Sequence, residues 1–299
     1  MSGFSLKIFS TYAMLCLIWG STWMAIRFGL KSLNPMFAAG MRFLLASAVI
    51  YLLMSFKKII LQKDKIAVRL YLLMGFFSFV IPFGLVYWGQ QYVPSGLAAV
   101  LFAVYPFFVL LFSFFIIRSE AIGKNKIIGM ILSFAGIITI FSDQIGGDLS
   151  SYVVGMIAIV LSGIMQASIA VMIKKYGQHL NPLSMNFVPM IIAGVVMLLV
   201  GLLFEDTSKL KFDLNAAGSV FYLAVFGSVI TFTTYYWLLK RINIVVLSLI
   251  AFITPVVALI LGWIIMGEYL ESQQIIGSIL VLLGLLIANA ISFFKPKIS

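Results

Sequence analysis

Two stretches of this chain carry the same marks in the same order. Pro106, Glu120, Gly129 and Gly136 recur as Pro255, Glu268, Gly277 and Gly284. The Glu-to-Gly and Gly-to-Gly intervals are nine and seven residues in both copies, and the Pro-to-Glu interval differs by one. Asn34-Pro35 returns as Asn181-Pro182 at an offset of 147. Each copy holds five apolar segments. Because five is odd, a second copy following the first through a bilayer must enter from the opposite side. The expected fold is therefore all-α and membrane-embedded, with ten transmembrane helices arranged as two inverted five-helix repeats, residues 1–146 and 147–299.

Composition requires the lipid. The chain is 63% hydrophobic and 10% charged, whereas a soluble domain is about a quarter charged. A helix crosses the hydrocarbon core in roughly 17 to 25 residues. On that rule the spans fall near 8–28, 36–56, 70–90, 95–117, 125–142, 151–173, 183–204, 217–239, 243–266 and 273–294. The runs are too long for barrel strands, so helices must satisfy the backbone. The first run could pass for a signal peptide, but nine more spans follow it and no cleavage site precedes a soluble domain.

The basic residues orient the spans. Fifteen of the twenty Lys and Arg residues fall at the termini and in one set of connectors. Four (Arg27, Lys31, Lys209 and Lys211) fall in the other set, and Arg42 alone lies within a span. This bias places both termini on the cytoplasmic side of a bacterial cytoplasmic membrane. It also accounts for the net charge of +11 without nucleic acid. The connectors are too short for a soluble domain, and 143–148, rich in Gly and Asp, marks the joint between the halves. No obligatory protein partner is implied; the expected partners are lipid and a small-molecule substrate.

Chemistry-bearing residues are few. Cys16 is the only cysteine and packs within the first span; His179 is the only histidine and stands in a connector without a metal-ligand cluster. No metal, cofactor or enzymatic activity is expected. There is no phosphate-binding loop, which excludes ATP hydrolysis. No carboxylate lies deep in a span, so proton coupling has no obvious carrier. Inverted duplication favours a secondary carrier with two alternately open states over a channel or a membrane enzyme.

Among the repeated residues, Pro106 and Pro255 lie inside apolar helices and are expected to kink them. Gly129 with Gly136, and Gly277 with Gly284, make smooth stripes two turns apart for close helix contact. Glu120 and Glu268 sit at membrane edges just before the next helix. They are expected to cap that helix or to pair with a nearby base.

The ordered set Ile18-Trp19-Gly20-Ser21, Arg42, Tyr92-Val93-Pro94-Ser95-Gly96 and Met266-Gly267-Glu268 with Gly277 and Gly284 resembles the EamA-type branch of the drug/metabolite transporter superfamily over essentially the whole chain. The resemblance implies a helix bundle around a central cavity that works by alternating access. It also implies export of small metabolites, amino acids or related amphiphiles above all. Multidrug or cation, nucleobase and lipid-linked solutes are the alternatives on the same fold. The family places its cavity among the third, fourth, eighth and ninth spans, with the first and sixth nearby.

Residues at those places are the substrate candidates. Tyr87, Tyr105, Tyr235 and Tyr236 offer rings with polar handles, and Gln90 an amide; Trp88 and Tyr92 read equally as an interfacial belt. Trp19 and Trp23 share a face of the first helix, and at the offset of 147 their counterparts are Gln166 and Ala170. Asn186 is expected to cap or bridge within the seventh span. Arg42 has three readings: it snorkels to the outer interface, binds helix carbonyls so as to join the halves, or meets a substrate carboxylate.

Overall fold

The computed structural model describes residues 3–117, 124–142, 151–248 and 250–294. Glu120, Arg118, the joint at 143–148, Lys295 and Lys297 lie outside the described residues. The described chain is all-α and multi-pass. In order, the helices are α1 (Gly3–Gly29), α2 (Pro35–Phe56), α3 (Lys65–Met74), α4 (Ile81–Gly89), α5 (Ser95–Phe102), α6 (Tyr105–Ile116) and α7 (Lys124–Ser142). They continue as α8 (Ser151–Tyr176), α9 (Pro182–Phe204), α10 (Leu214–Ala224), α11 (Thr231–Leu239), α12 (Ile244–Ser248), α13 (Ile250–Met266) and α14 (Ser272–Phe294).

Several of these run on into one another as rods. Among the described residues, eight rods are long and apolar enough to cross a bilayer, including Lys65–Gly89, Ser95–Ile116, Leu214–Leu239 and Val246–Met266. Two shorter apolar helices, Ile127–Ile140 and Ser272–Ile287, accompany them.

Local chemistry sets the boundaries. Asp64 caps α3 by accepting from the Ile66 and Ala67 amides, and Asp213 caps α10 by accepting from the Ala216 amide. These bonds hold both carboxyls below the usual carboxylate range: at Asp64 chiefly the Ala67 amide, at Asp213 the Ala216 amide and then the Ser32 hydroxyl. Each cap therefore contributes fully above the ordinary carboxylate pKa and fades as pH falls through the lowered one. The repeated Asn-Pro pair has diverged. Asn181 caps α9 through the Leu183 amide. Asn34 instead donates to the Asp206 carbonyl, and Glu205 from the end of α9 caps α2 by accepting from the Met36 and Phe37 amides.

Two features depart from uniform helical spans. Gly75–Val80 joins α3 to α4 as a π-helical turn, and Val225–Ile230 joins α10 to α11 in the same way, 150 residues later. Such turns widen the helix and leave backbone groups free for other partners. The fourth rod breaks at Ala103–Val104, and Pro106 occupies the first turn of the new helix α6. The expected kink at Pro106 is thus a full break just before the proline, where its missing N–H costs nothing. Pro255 stays inside α13.

The two ends of the bundle are defined by their contacts. At one end His179 lies 3.1 Å from Asp64, Lys175 donates to the Ile116 carbonyl, Lys240 to the Gln178 carbonyl, and Lys7 lies over the Trp237 ring. This is the terminal face. At the far face Ser32 donates to Asp213, and Gln274 to the Tyr152 hydroxyl.

Glycines bring two helix pairs to backbone contact. A Cβ on Gly40 would stand 2.5 Å from the Leu198 amide nitrogen, which seats α2 on α9. A Cβ on Gly136 would stand 2.5 Å from the Gly277 carbonyl oxygen, and one on Gly284 2.5 Å from that of Gly129, which seats α7 on α14.

Candidate solute cavity

Within the bundle lies a partly open cavity. Trp19, Thr22, Trp23 and Ile26 of α1 line it. Their spacing of i, i+3, i+4 and i+7 is that of one helix face. Gln166, Ala170 and Ile173 of α8 line it as well, and they follow Trp19, Trp23 and Ile26 at the same offset of 147. Further lining positions pair at an offset of 149: Phe83 with Phe232, Val86 with Tyr235, Phe102 with Ala251, and Tyr105 with Thr254. The same positions of both halves thus face one space, with different side chains on them.

Four of these pairs set an aromatic residue against a small or polar one, while Phe83 with Phe232 and Val86 with Tyr235 keep or add a ring in the second half. Trp19, Trp23, Phe102 and Tyr105 face the space from α1, α5 and α6; their counterparts Gln166, Ala170, Ala251 and Thr254 face it from α8 and α13. The rings form two groups of contacts, linked through a pair of tyrosine hydroxyls. Trp19 meets Phe232 at 5.4 Å and Tyr235 at 5.3 Å between centroids, Trp23 meets Phe102 at 5.5 Å, and Phe102 stacks on Tyr105. The Tyr105 and Tyr235 hydroxyls lie 2.6 Å apart, tying α6 to α11 beside the cavity. Tyr236 lines the same space.

Arg42 stands beside these rings and is only 2% exposed, so it does not snorkel to an interface. Its Nε donates to Ser228 Oγ at 2.9 Å and one Nη to the Gly227 carbonyl at 3.0 Å. Both acceptors belong to the π-helical turn before α11, which explains why a carbonyl there is free to accept. The other Nη donates to the Tyr87 hydroxyl at 3.3 Å. The guanidinium also lies 4.9 Å from the Phe83 ring centre. Arg42 therefore both joins the halves, through the Gly227 carbonyl and the Ser228 hydroxyl, and lines the cavity.

Of the residues singled out in the sequence, the structure brings Trp19, Trp23, Arg42, Tyr105, Gln166, Tyr235 and Tyr236 to the cavity. Tyr87 and Gln90 are not on its wall. Tyr87 stands behind Arg42, and Gln90 stands behind Trp23, whose carbonyl its amide contacts at 3.1 Å. Trp88 and Tyr92 pack on each other, with Tyr92 exposed. Asn186 bridges from α9 to Thr233 of α11 as well as to Pro182. Thr22, Ser78, Phe83, Phe102, Phe232 and Thr254 also line the space. Extending the repeat offset from Phe102 and Tyr105 was the signal that could have found Ala251 and Thr254.

Near the cavity, at the far face, charged side chains tie the halves together. Arg27, one residue beyond the lining Ile26, donates to the Gln90 and Val93 carbonyls between α4 and α5. Its Nε lies 3.7 Å from Glu268. Glu268 accepts from the Ser95 amide at 3.0 Å, the Ser95 hydroxyl at 2.7 Å and the Gly96 amide at 3.3 Å. The expectation that Glu268 caps the following helix is therefore corrected: it caps α5, in the other half of the chain. The glutamate follows Gly267, whose φ of +65° turns the chain back toward α13 and so toward α5. At the terminal face Lys174, 147 residues after Arg27, donates to the Leu239 and Ile242 carbonyls between α11 and α12.

Glu268→Gln should remove the charge from these bonds and lower stability by about 1–3 kcal/mol. Thermal unfolding in detergent measures this; an unchanged midpoint would show that the carboxylate adds nothing to the cap.

Among the described residues no group of three His, Cys, Asp or Glu side chains is placed to hold a metal ion.

Comparison with known proteins gives a consistent result. The model of the EamA-like transporter family matches residues 8–142 and again 153–290. The chain is 32% identical to the inner membrane transporter YedA of Escherichia coli, over 90% of this chain and 86% of that one. It is 27% identical to the protein PagO of Salmonella typhimurium, over 92% and 90% of the two chains. It is 24% identical to the transporter YoaV of Bacillus subtilis, over 98% and 99%. A solved crystal structure of a protein superposes with a TM-score of 0.72 at 16% identity, covering 96% of this chain and 98% of that chain, a likeness of fold.

Proposed function

The chain belongs to the EamA-like transporter family, as a secondary transporter of small solutes and not an enzyme, and from that premise we propose that it exports amino acids or related amphiphilic metabolites by alternating access. The proposed frame is ten transmembrane helices in two inverted five-helix repeats, 1–146 and 147–299, around the central cavity. Lining positions that pair at offsets of 147 and 149 support it. The proposed membrane is the bacterial cytoplasmic membrane with both termini on the cytoplasmic side, supported by the distribution of Lys and Arg. The far face is then the outer face, and the Arg27–Glu268–Ser95 ties join the halves on that side.

One observation carries the reading of the solute. The cavity combines an aromatic wall with a single deep cation, Arg42. Rings bury apolar solute surface, and a few placed polar groups fix its orientation. No Asp or Glu lines the cavity among the described residues, which supports uniport or exchange without an obligatory proton.

Counterflow in proteoliposomes tests this. Vesicles loaded with an unlabelled amino acid should transiently accumulate the labelled one, saturably and without a pH gradient. Non-saturating flux without counterflow indicates a channel. Failure of every amino acid while cationic drugs or lipid-linked solutes move removes the proposed substrate class.

A further inference from the structure

We propose that the solute enters this cavity as an organic monoanion with an aromatic or other apolar body, its anionic group on Arg42, in preference to a zwitterion or a cation. The inference rests on the carrier reading above and, within its substrate class, selects the related amphiphilic metabolites that carry a net negative charge over the zwitterionic amino acids themselves. It starts from a charge inventory. Arg42 lines the cavity, is 2% exposed, and has no carboxylate within ion-pair distance among the described residues. Its described partners are a hydroxyl of Ser228, a carbonyl of Gly227 and a hydroxyl of Tyr87, all neutral. They fix the fork without cancelling its charge. A guanidinium has five N–H donors, so three bonds leave two for a ligand. A buried charge without a counter-ion is costly, and an intramembrane ionisable residue marks a solute path.

Among the described residues, the acids elsewhere do not supply a second pole. Asp64, Glu205, Asp206, Asp213, Glu268 and Glu271 all stand at helix ends or in connectors, and none lines the cavity. A solute ammonium would have ring faces and neutral dipoles for company, in the same enclosure as a fixed positive charge. An anion meets the opposite situation. From Arg42 the rings run without a gap: the guanidinium lies 4.9 Å from Phe83, Phe83 6.0 Å from Phe232, Phe232 5.4 Å from Trp19, and Trp19 5.3 Å from Tyr235, measured to ring centres. The lining also includes the small Ala170 and Ala251 and the amide of Gln166. A flat apolar body attached to an anionic head therefore has both a surface to lie on and room beside it.

Four solutes that share a phenylpropyl body and differ in charge test the inference on the purified full chain. They are 3-phenylpropionate, phenylalanine, 3-phenylpropionamide and 3-phenylpropylamine. Binding is read by tryptophan fluorescence titration and by the shift in thermal midpoint. 3-Phenylpropionate should bind at least about 30-fold more tightly than the other three, in the range of a desolvated charge pair. Arg42→Gln (R42Q) should reduce its affinity by a similar factor and that of the amide by less than about threefold. Should R42Q not fold, the ranking in the parent protein decides alone. Equal or tighter binding of phenylalanine or of the amine overturns the inference, and so does failure of all four to bind. Neither result touches the carrier reading, which stands or falls on saturable counterflow in proteoliposomes, whichever solute class moves.

Discussion

Arg42→Met (R42M) is expected to fold about as stably as the parent and to carry no anionic solute. Two opposing terms set this result. Removing the guanidinium forfeits three hydrogen bonds to neutral partners, each worth about 1 kcal/mol net. It also removes a buried charge with no described counter-ion, whose desolvation costs several kcal/mol. Met fills most of the vacated volume and adapts to irregular gaps. The sum should lie within about 2 kcal/mol of zero. Arg42→Ala differs only in leaving a void, and voids of that size cost about 2–5 kcal/mol. The expected order of thermal midpoints is therefore parent close to R42M, with R42A well below. Transport should be lost in both. If R42M unfolds and Arg42→Lys restores the fold, then Arg42 is a structural bolt between α2 and the π-helical turn before α11. If R42M still carries anions, the binding role fails.

The part of this design written locally in the sequence is the part hydropathy reports. Eight of the ten expected spans match a described rod within a few residues, because in lipid the apolar run and the helix are the same object, and the fifth and tenth fall on the shorter apolar helices Ile127–Ile140 and Ser272–Ile287. The glycine stripes were also legible, since a seven-residue spacing places two glycines on one face. That 129/136 and 277/284 meet each other required the structure. The π-helical turns at Gly75–Val80 and Val225–Ile230 left no trace in hydropathy, because one extra residue in a helical turn scarcely alters an apolar pattern. For the same reason Arg42 could be seen as deep but not as bonded, since its acceptors sit 185 and 186 residues away. Glu268 shows the limit most clearly. Its position at a membrane edge suggested a helix cap, and it is one, but of a helix 173 residues upstream. The aromatic candidates divided by depth within the wall: Tyr105, Tyr235 and Tyr236 line the cavity, while Tyr87 braces Arg42 from behind. A ring on a buried helix face looks the same in sequence whether it touches a solute or the residue that does.

Gly284→Leu (G284L) is expected to prevent α7 and α14 from packing and to leave the protein aggregated or unrecoverable from the membrane. A Cβ at Gly284 would stand 2.2 Å from Ser133 Oγ, 2.5 Å from the Gly129 carbonyl oxygen and 2.7 Å from the Ser133 amide nitrogen. Carbon and oxygen settle at roughly 3.3–3.6 Å even in a close C–H···O contact. The methyl of alanine alone would therefore push the helices apart by about 1 Å. Two of the three obstacles are backbone, so rotating a side chain cannot relieve them. The separation would also open the contacts around Gly136 and Gly277, where a Cβ on either would stand 2.5 Å from the other's carbonyl oxygen. In lipid this packing is what holds two helices together, since no hydrophobic drive separates a helix surface from acyl chains. Gly284→Ala should lower the thermal midpoint clearly, and G284L should give no monodisperse peak on size exclusion. Gly218, exposed in α10 with nothing within 4 Å of its Cβ position, supplies the control. Gly218→Ala should be neutral or stabilising by up to about 1 kcal/mol, the helix-propensity difference alone. Among the described residues, none of α7 or α14 lines the cavity, so whatever Gly284→Ala protein survives should keep the parent's order of preference among solutes. A changed preference at Gly284→Ala would mean that this peripheral pair moves with the cavity walls, and the division between scaffold and binding surface would then have to be redrawn.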